Sequence, residues 1–560
     1  MTENCAEFLC FVNLNPNGPK IFGFSEFLAG LALMILAWTI ADTRYRFRIK
    51  TAPLPLEKIT FYTVTLVGIL SLLTDLWRAQ GWPVLKGDLI SQAGWQVVLA
   101  SVFFITFLTW VWFAFIRPSI FSRLTAKNYG TVLYGYIVRG NKNDLAIIAD
   151  EVTRSIPNLI KYSTNHIKKE TNDSEIKAPL VELIANDILV LISDKRFCKA
   201  VVESAIPLSI QLFTEIEKYK KYQINVDIFA KNFFTEALLN TDSFLYHESD
   251  YYDSGLIGYL KPLSTALFKN YNLIESLSIV FDIDYRIRNQ WSVKQFDAFC
   301  NAFSHTITSY IKDNIDQHSF VINRTLSYIS KETDGLYKIN GMPNSWDSEP
   351  VQRLDTCVSF LGNISCEISK INKPSNLALR KKGERKERYR DHSIYDSIAK
   401  CMFDVIYNAS SVTHPSWDCW SIQHNTVLDG FFESYNSNGT GSNIIKHKLR
   451  RLIYDEIVEM ERFPNFKGAR FLSFVLNVLG LKLNSGNINE GTKALHRCVL
   501  AWVHKRYAIL YQKNPEVALA CLVDTMNYDE SSNQITKTYP PRGLYRSTSI
   551  VTFTVIPIFP

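Results

Sequence analysis

Five side chains of metal-binding or nucleophilic type, Cys401, His414, Asp418, Cys419 and His424, fall within 24 residues. Thiolates and imidazoles are the ligands of tetrahedral zinc, and a Cys–His pair among them could serve as nucleophile and base. The tight pairing usual in structural zinc sites is missing, however, and Trp417 and Trp420 between them point to local packing. Cys401, His414, Cys419 and His424 are therefore only weak metal candidates. His247, Glu248, Asp250 and Asp253 could hold a divalent cation or supply an acid and a base, yet an acidic turn between helices has the same make-up. Residues 437–443 carry Gly439 and Gly441 ahead of Lys446, and such glycines can expose N–H groups to a phosphate. Their spacing matches neither a Walker A nor a dinucleotide fingerprint. No HExxH, GxSxG or protein-kinase set occurs. The sequence assigns no catalytic residue and indicates no cofactor.

Two further sets lie in or beside apolar surroundings. Thr60, Thr63, Ser71 and Thr74 project at about 0°, −60°, 20° and −40° around a helix, and Asp75 extends this stripe at about 60°. Such a stripe hydrogen-bonds within a helix bundle, or it lines a water-filled path, which would need an oligomer. Arg44, Arg46, Arg48 and Lys50 alternate with apolar residues in RYRFRIK. That pattern fits a segment lying against anionic headgroups and setting topology, with a specific lipid or nucleotide contact as the lesser alternative.

Three apolar runs must position these residues: 21–41, 59–77 and 95–116. As helices they approach or exceed the roughly 30 Å of a hydrocarbon core. The third contains no charge, whereas the first contains Glu26 and the second Asp75. No basic n-region precedes the first, so it reads as a span rather than a signal peptide. Arg44, Arg46, Arg48, Lys50 and Lys58 lie between the first two runs, and Arg117, Arg123 and Lys127 follow the third. The opposite side has Lys20, Arg78 and Lys86. The positive-inside rule predicts an outside N-terminus and a cytosolic C-terminal region at the inner membrane of a prokaryote. Glu26 and Asp75 then share the outer end, with Arg78 as the nearest cation.

Formal charge is +7, but residues 1–130 hold 11 Lys/Arg against 7 Asp/Glu, so the remainder is nearly neutral. Wholesale nucleic-acid binding is not indicated, and the basic run at 380–390 is its one candidate segment. Eight of ten cysteines are scattered after residue 130, as in a reducing compartment, whereas Cys5 and Cys10 could meet an oxidising one. The expected divisions are an extracytoplasmic N-terminus (1–20), a three-span domain (21–130), a helical domain (131–332), a linker with one helix and the basic segment (333–393), a second helical domain (394–535) and a β-prone tail (536–560). Helical periodicity dominates after residue 131, with runs expected at 143–162, from Ser174 onward, and at 195–219, 226–239, 255–269, 294–314, 319–331, 351–371, 394–408, 443–462, 469–482 and 491–512.

The expected fold class is a membrane protein with three N-terminal transmembrane α-helices and a large all-α cytosolic region. An α-solenoid is one arrangement of that region, although no repeat period is visible. The expected function is a homo-oligomeric, membrane-anchored sensor or effector whose cytosolic region detects a protein partner or ligand. Bacterial stress or antiviral defence would suit this architecture by analogy alone. A membrane-tethered enzyme with a site hidden by the fold, and a passive scaffold, are the alternatives.

Overall fold

The computed structural model describes residues 3–6, 9–13, 20–40, 42–85, 92–164, 178–248, 253–254, 258–259, 261–313, 318–343, 345–370, 393–433, 439–483, 490–523, 525–539 and 547–557. The chain divides into two compact units, Met1–Glu236 and Ala237–Pro560.

The first unit opens with a small antiparallel sheet that the sequence did not suggest. Strands β1 (Glu3–Ala6) and β2 (Leu9–Asn13) pair with each other, and β2 pairs with β3 (Pro83–Leu85). The register sets Cys5 opposite Cys10 and Val12 opposite Val84. Helix α1 (Phe24–Ile40) is followed by a short α2 (Thr43–Lys50), then α3 (Leu56–Ala79) and α4 (Gln92–Val111), which continues as a π turn over Trp112–Ile116. Among the described residues, two helices are long and apolar enough to cross a membrane, Leu56–Ala79 and Ala93–Ile116, or three if the bent pair Lys195–Ser204 and Ile206–Tyr219 counts as one span. The first expected span is shorter than the sequence suggested. Its helix has 17 residues, because residues 21–23 are spent on the turn that leads into it. Phe27, Met34, Val64, Val67 and Leu99 form the core among these helices. The outward faces carry large exposed apolar side chains such as Leu33, Phe61, Leu66, Phe104 and Ile105.

After α4 the unit becomes a set of amphipathic helices: α5 (Ala126–Arg139), α6 (Lys142–Thr153), α7 (Ile156–Tyr162), α8 (Leu180–Leu191), α9 (Lys195–Ser204), α10 (Ile206–Tyr219) and α11 (Asp227–Leu239). The expected single helix over 143–162 is two, because Pro157 takes the first turn of a new helix, where its missing N–H costs nothing. The helix expected to start at Ser174 starts after Pro179; Ser174 itself lies outside the described residues. Helices α9 and α10 bend by 105° around Ala205, just before Pro207.

In the second unit the helices are α12 (Tyr271–Leu277), α13 (Tyr285–Arg288), α14 (Val293–Asp313), α15 (Phe320–Lys331), α16 (Glu349–Ser369), α17 (Ile394–Ala409), α18 (Ser416–Ser421), α19 (Thr440–Glu459), α20 (Phe466–Leu479), α21 (Glu490–Lys513) and α22 (Pro515–Leu519). Helix α18 runs on as a π helix over Ile422–Glu433. Among the described residues, the helix expected at 255–269 is found only over 262–268. Its expected start is taken by strand β5 (Gly258–Tyr259), which pairs with β4 (Asp253–Ser254), and most of the helical part is a π turn at Ser264–Phe268. The C-terminal tail forms a strand, but not a lone one. Strands β6 (Met526–Asp529), β7 (Gln534–Tyr539) and β8 (Ser549–Thr554) make an antiparallel meander in that order. The body as a whole is all-α apart from these small sheets.

Candidate functional site

Helix α2 is eight residues long, and its sequence determines which side faces what. At about 100° per residue, Thr43, Phe47, Arg44 and Arg48 fall within roughly 140° of one another, whereas Tyr45 and Ile49 fall on the opposite side. Asp42 caps the start by accepting from Thr43 N at 2.7 Å, and the Thr51 hydroxyl closes the end on Phe47 O at 2.9 Å. The apolar side packs with Ala52, Leu56, Trp110 and Ala114 at one end of α3 and α4. The other side meets α5 and α6. Phe47 sits edge-on to Tyr129 at 5.4 Å and to Tyr136 at 5.9 Å.

The centre of this contact is Arg48, which is 5% exposed. Its Nε donates to Glu151 Oε2 at 2.8 Å and its Nη2 to Oε1 at 2.6 Å, a bidentate fork. Its Nη1 donates to the carbonyl of Ala114 at 2.9 Å. Ala114 lies in the last turn of the long apolar helix, where carbonyls lack intrahelical partners. One guanidinium therefore ties α2, the end of α4 and α6 together. The hydrogen bonds it donates to Glu151 are the main reason its pKa lies above the ordinary arginine value. Around it, Arg44 pairs with Asp150 at 2.8 Å and Thr43 Oγ1 donates to Asp144 Oδ1 at 2.7 Å. The connection from α4 onward is held too. Phe121 N donates to Ser155 Oγ at 3.1 Å, and Asn158 Nδ2 donates to Phe121 O at 2.9 Å.

Of the four basic residues named from sequence, Arg46 and Lys50 are exposed, Arg44 is half-buried and Arg48 is buried. The carboxylates that meet them, Asp144, Asp150 and Glu151, were not singled out. The available signal was Glu151 bordering the apolar stripe of Leu145, Ile148 and Val152, a charge too close to a buried face to be plain solvated surface.

At the other end of the long helices, Asp75 accepts from Lys20 Nζ at 3.1 Å and from Phe24 N at 2.9 Å. Gln96 Oε1 accepts from Ile21 N at 2.9 Å, and Glu26 lies 3.6 Å from Lys20. Lys20, not Arg78, is the cation between the two carboxylates. In the hydroxyl stripe, Thr60 and Ser71 are buried, and Thr63 and Thr74 are half-buried. Thr74 Oγ1 donates to Leu70 O and accepts from Trp95 Nε1 at 3.1 Å.

Several of the other chemical candidates make packing or main-chain contacts. Cys401 is buried in α17, its thiol donating to Leu326 O and pushed well up in pKa by burial. Cys419 accepts from Asn477 at 3.5 Å, His414 N donates to Asn340, and His424 stacks on Trp420. Among the described residues, no group of three or more His, Cys, Asp or Glu could hold a metal. Glu248 accepts from Leu263 N at 2.8 Å and Ser264 Oγ at 2.5 Å, capping the following turn. Asp250 lies outside the described residues. A Cβ on Gly439 would come within 2.8 Å of Ser369 O, and one on Gly441 within 2.8 Å of Ile368 O. These glycines therefore permit close packing on the end of α16. Residues 380–390 lie outside the described residues. No family model, no curated protein and no solved structure matches this chain.

Proposed function

We propose that this is a three-span, homo-oligomeric membrane protein in which cytosolic helices detect a partner and act on the spans through α2. The observation that carries the coupling is the bidentate Arg48–Glu151 pair, whose guanidinium also holds the Ala114 carbonyl. A flexible linker would transmit little; a buried fork joining three elements moves them together. The pairing of β2 with β3 supports the span count. It puts the N-terminal strands and the α3–α4 connection on one side, so the chain between them crosses an even number of times. With α3 as one crossing, α1 supplies the other, and 17 residues give about 26 Å, a shortfall that local bilayer thinning can accommodate. The basic residues around α2 then favour the cytosol for that side. A prokaryotic inner membrane remains the setting we propose on the same ground.

The test is membrane potential in bacterial cells overproducing the full chain, read with a potential-sensitive dye. The expected outcome is depolarisation by the natural protein and loss of most of it in the Arg48→Met/Glu151→Leu double variant at equal membrane abundance. Unchanged potential with the natural protein would overturn the effector reading. Equal depolarisation by both would overturn coupling through α2.

A further inference from the structure

The second unit carries an aromatic strip with acidic neighbours. Along α18 and the π helix after it, Trp417 stacks on Trp420 with centroids 5.6 Å apart, and Trp420 stacks on His424 at 4.5 Å. Trp417 is 60% exposed and Trp346 38% exposed. Trp346 joins the strip because its Nε1 donates to Asp418 Oδ1 at 3.3 Å, while Ser345 Oγ holds Asp418 Oδ2 at 2.7 Å. Asn340 fixes the approach by accepting from Thr413 N at 2.7 Å and from His414 N at 3.1 Å. These rings are held in place rather than swinging freely. At the other end, Asp429 lies 3.7 Å from His424 Nδ1, and its Oδ1 is buried with no hydrogen-bond donor among the described residues. The Asp429 side chain as a whole is 39% exposed and shares a hydrogen bond with Glu433, and burial is the first cause of its raised pKa.

Exposed, pre-ordered tryptophans are an unusual cost for a soluble surface unless something covers them. The charges choose the occupant. Asp418, Asp429 and Glu433 repel phosphate, which argues against nucleic acid and against anionic headgroups. The carboxylates of Asp418, Asp429 and Glu433 favour a cation, and stacked indoles favour a planar one. Guanidinium meets both needs: it is flat, weakly hydrated, stacks on aromatic faces and forks onto carboxylates, whereas an ammonium only meets the charge.

We propose that the Trp346–Trp417–Trp420–His424 strip, with Asp418 and Asp429, docks an arginine-bearing peptide segment of a cytosolic partner protein. This rests on the reading of the cytosolic helices as the part that detects a partner. The probe is a fluorescein-labelled, acetylated tetra-arginine amide, titrated by anisotropy against the full chain in nanodiscs. Saturable binding is expected, with tetra-lysine at least threefold weaker. Trp417→Ala and Asp429→Asn should each weaken it at least fivefold, and Tyr285→Ala, an exposed ring elsewhere in the unit, should change it less than twofold. Circular dichroism of each variant establishes that it is folded. Absence of saturable binding, an unchanged affinity in Trp417→Ala, or stronger binding of a 15-nucleotide oligo-dT would each overturn the docking surface. Tetra-arginine that binds as described, but whose co-expressed fusion leaves depolarisation unaltered, would instead count against the sensor reading and leave the docking surface standing.

Discussion

Arg48 in the first unit and Lys537 in the second are both buried cations, and both reach main-chain carbonyls at a helix end. Arg48 has a carboxylate partner as well. Lys537 has none among the described residues: its Nζ donates to Leu476 O at 3.3 Å and Asn477 O at 2.7 Å, closing the end of α20. It comes from β7, where Ile535 and Lys537 alternate inward. A lysine at a helix C-terminus gains from the helix dipole, but without a counter-charge desolvation wins, and its pKa falls from 10.5 to about 8. The arginine keeps its proton under all ordinary conditions. Burial of a positive charge thus yields a permanent cross-link in one place and a titratable one in the other.

The largest effect should come from breaking the permanent link. Glu151→Ala leaves the Arg48 charge buried with little beyond the Ala114 carbonyl, and such loss of one partner costs about 3–5 kcal/mol. For a unit of this size that is a fall in thermal midpoint of roughly 6–20 °C, measured on the full chain in nanodiscs. Arg48→Met/Glu151→Leu removes both charges and should recover most of the loss. If the single variant stays within 2 °C of the natural protein, Arg48 is not the permanent link described above.

Lys537 should show itself through pH. The folded chain releases the proton near pH 8 and the unfolded chain near 10.5, so the unfolded state binds more protons between them. Stability contributed by this residue therefore rises with pH across that window, by at most about 3 kcal/mol. Because tyrosines and other lysines also titrate there, the quantity to measure is the difference between natural protein and Lys537→Met in urea midpoint at pH 7.5 and pH 10. The natural protein should gain relative to the variant on going to pH 10. A parallel response would mean that Lys537 is charged on both sides of the window.

The contrast between the two cations was half legible in the sequence. Long uncharged runs give α3 and α4 away, since 59–77 and 95–116 lie inside Leu56–Ala79 and Ala93–Ile116. Helix periodicity likewise located α14, α15, α17 and α21 to within a few residues. The Asn514-Pro515 signature marked α22, where Asn514 accepts from Val517 N. What stayed hidden was pairing at a distance. Arg48 and Glu151 are 103 residues apart, and Lys537 meets Leu476 across 61. In sequence, Arg48 is one of four similar basic residues, and only the fold picks out the buried one. The hairpin of β6 and β7 was missed because MNYDESSNQITKTY mixes polar and β-branched residues without an apolar run. The helix expected at 255–269 starts late, at Pro262, because Gly258 lies in strand β5 and a proline fits only the first turn of a helix.

The smallest expected effect concerns the hydroxyls of α3, where polar groups are buried without any charge. Thr74 satisfies its own backbone and also receives Trp95 Nε1, whereas Ser71 Oγ is buried with no hydrogen-bond partner among the described residues. A hydroxyl bond between membrane helices is worth about 0.6 kcal/mol, so Thr74→Val should cost about that much. Ser71→Ala removes an unsatisfied group and should be neutral or slightly stabilising. Both follow from a stripe turned toward the neighbouring helices rather than toward water. The water-path alternative differs in the leak: Ser71→Ala would change ion leak as well, because a pore-lining hydroxyl contacts the permeating ion. Proteoliposome leak and thermal midpoint, read together on the two variants, separate these cases. A changed leak with an unchanged midpoint in Ser71→Ala would turn the stripe into a conduction path. It would also make α3, and not the Arg48 clasp, the element most directly tied to output.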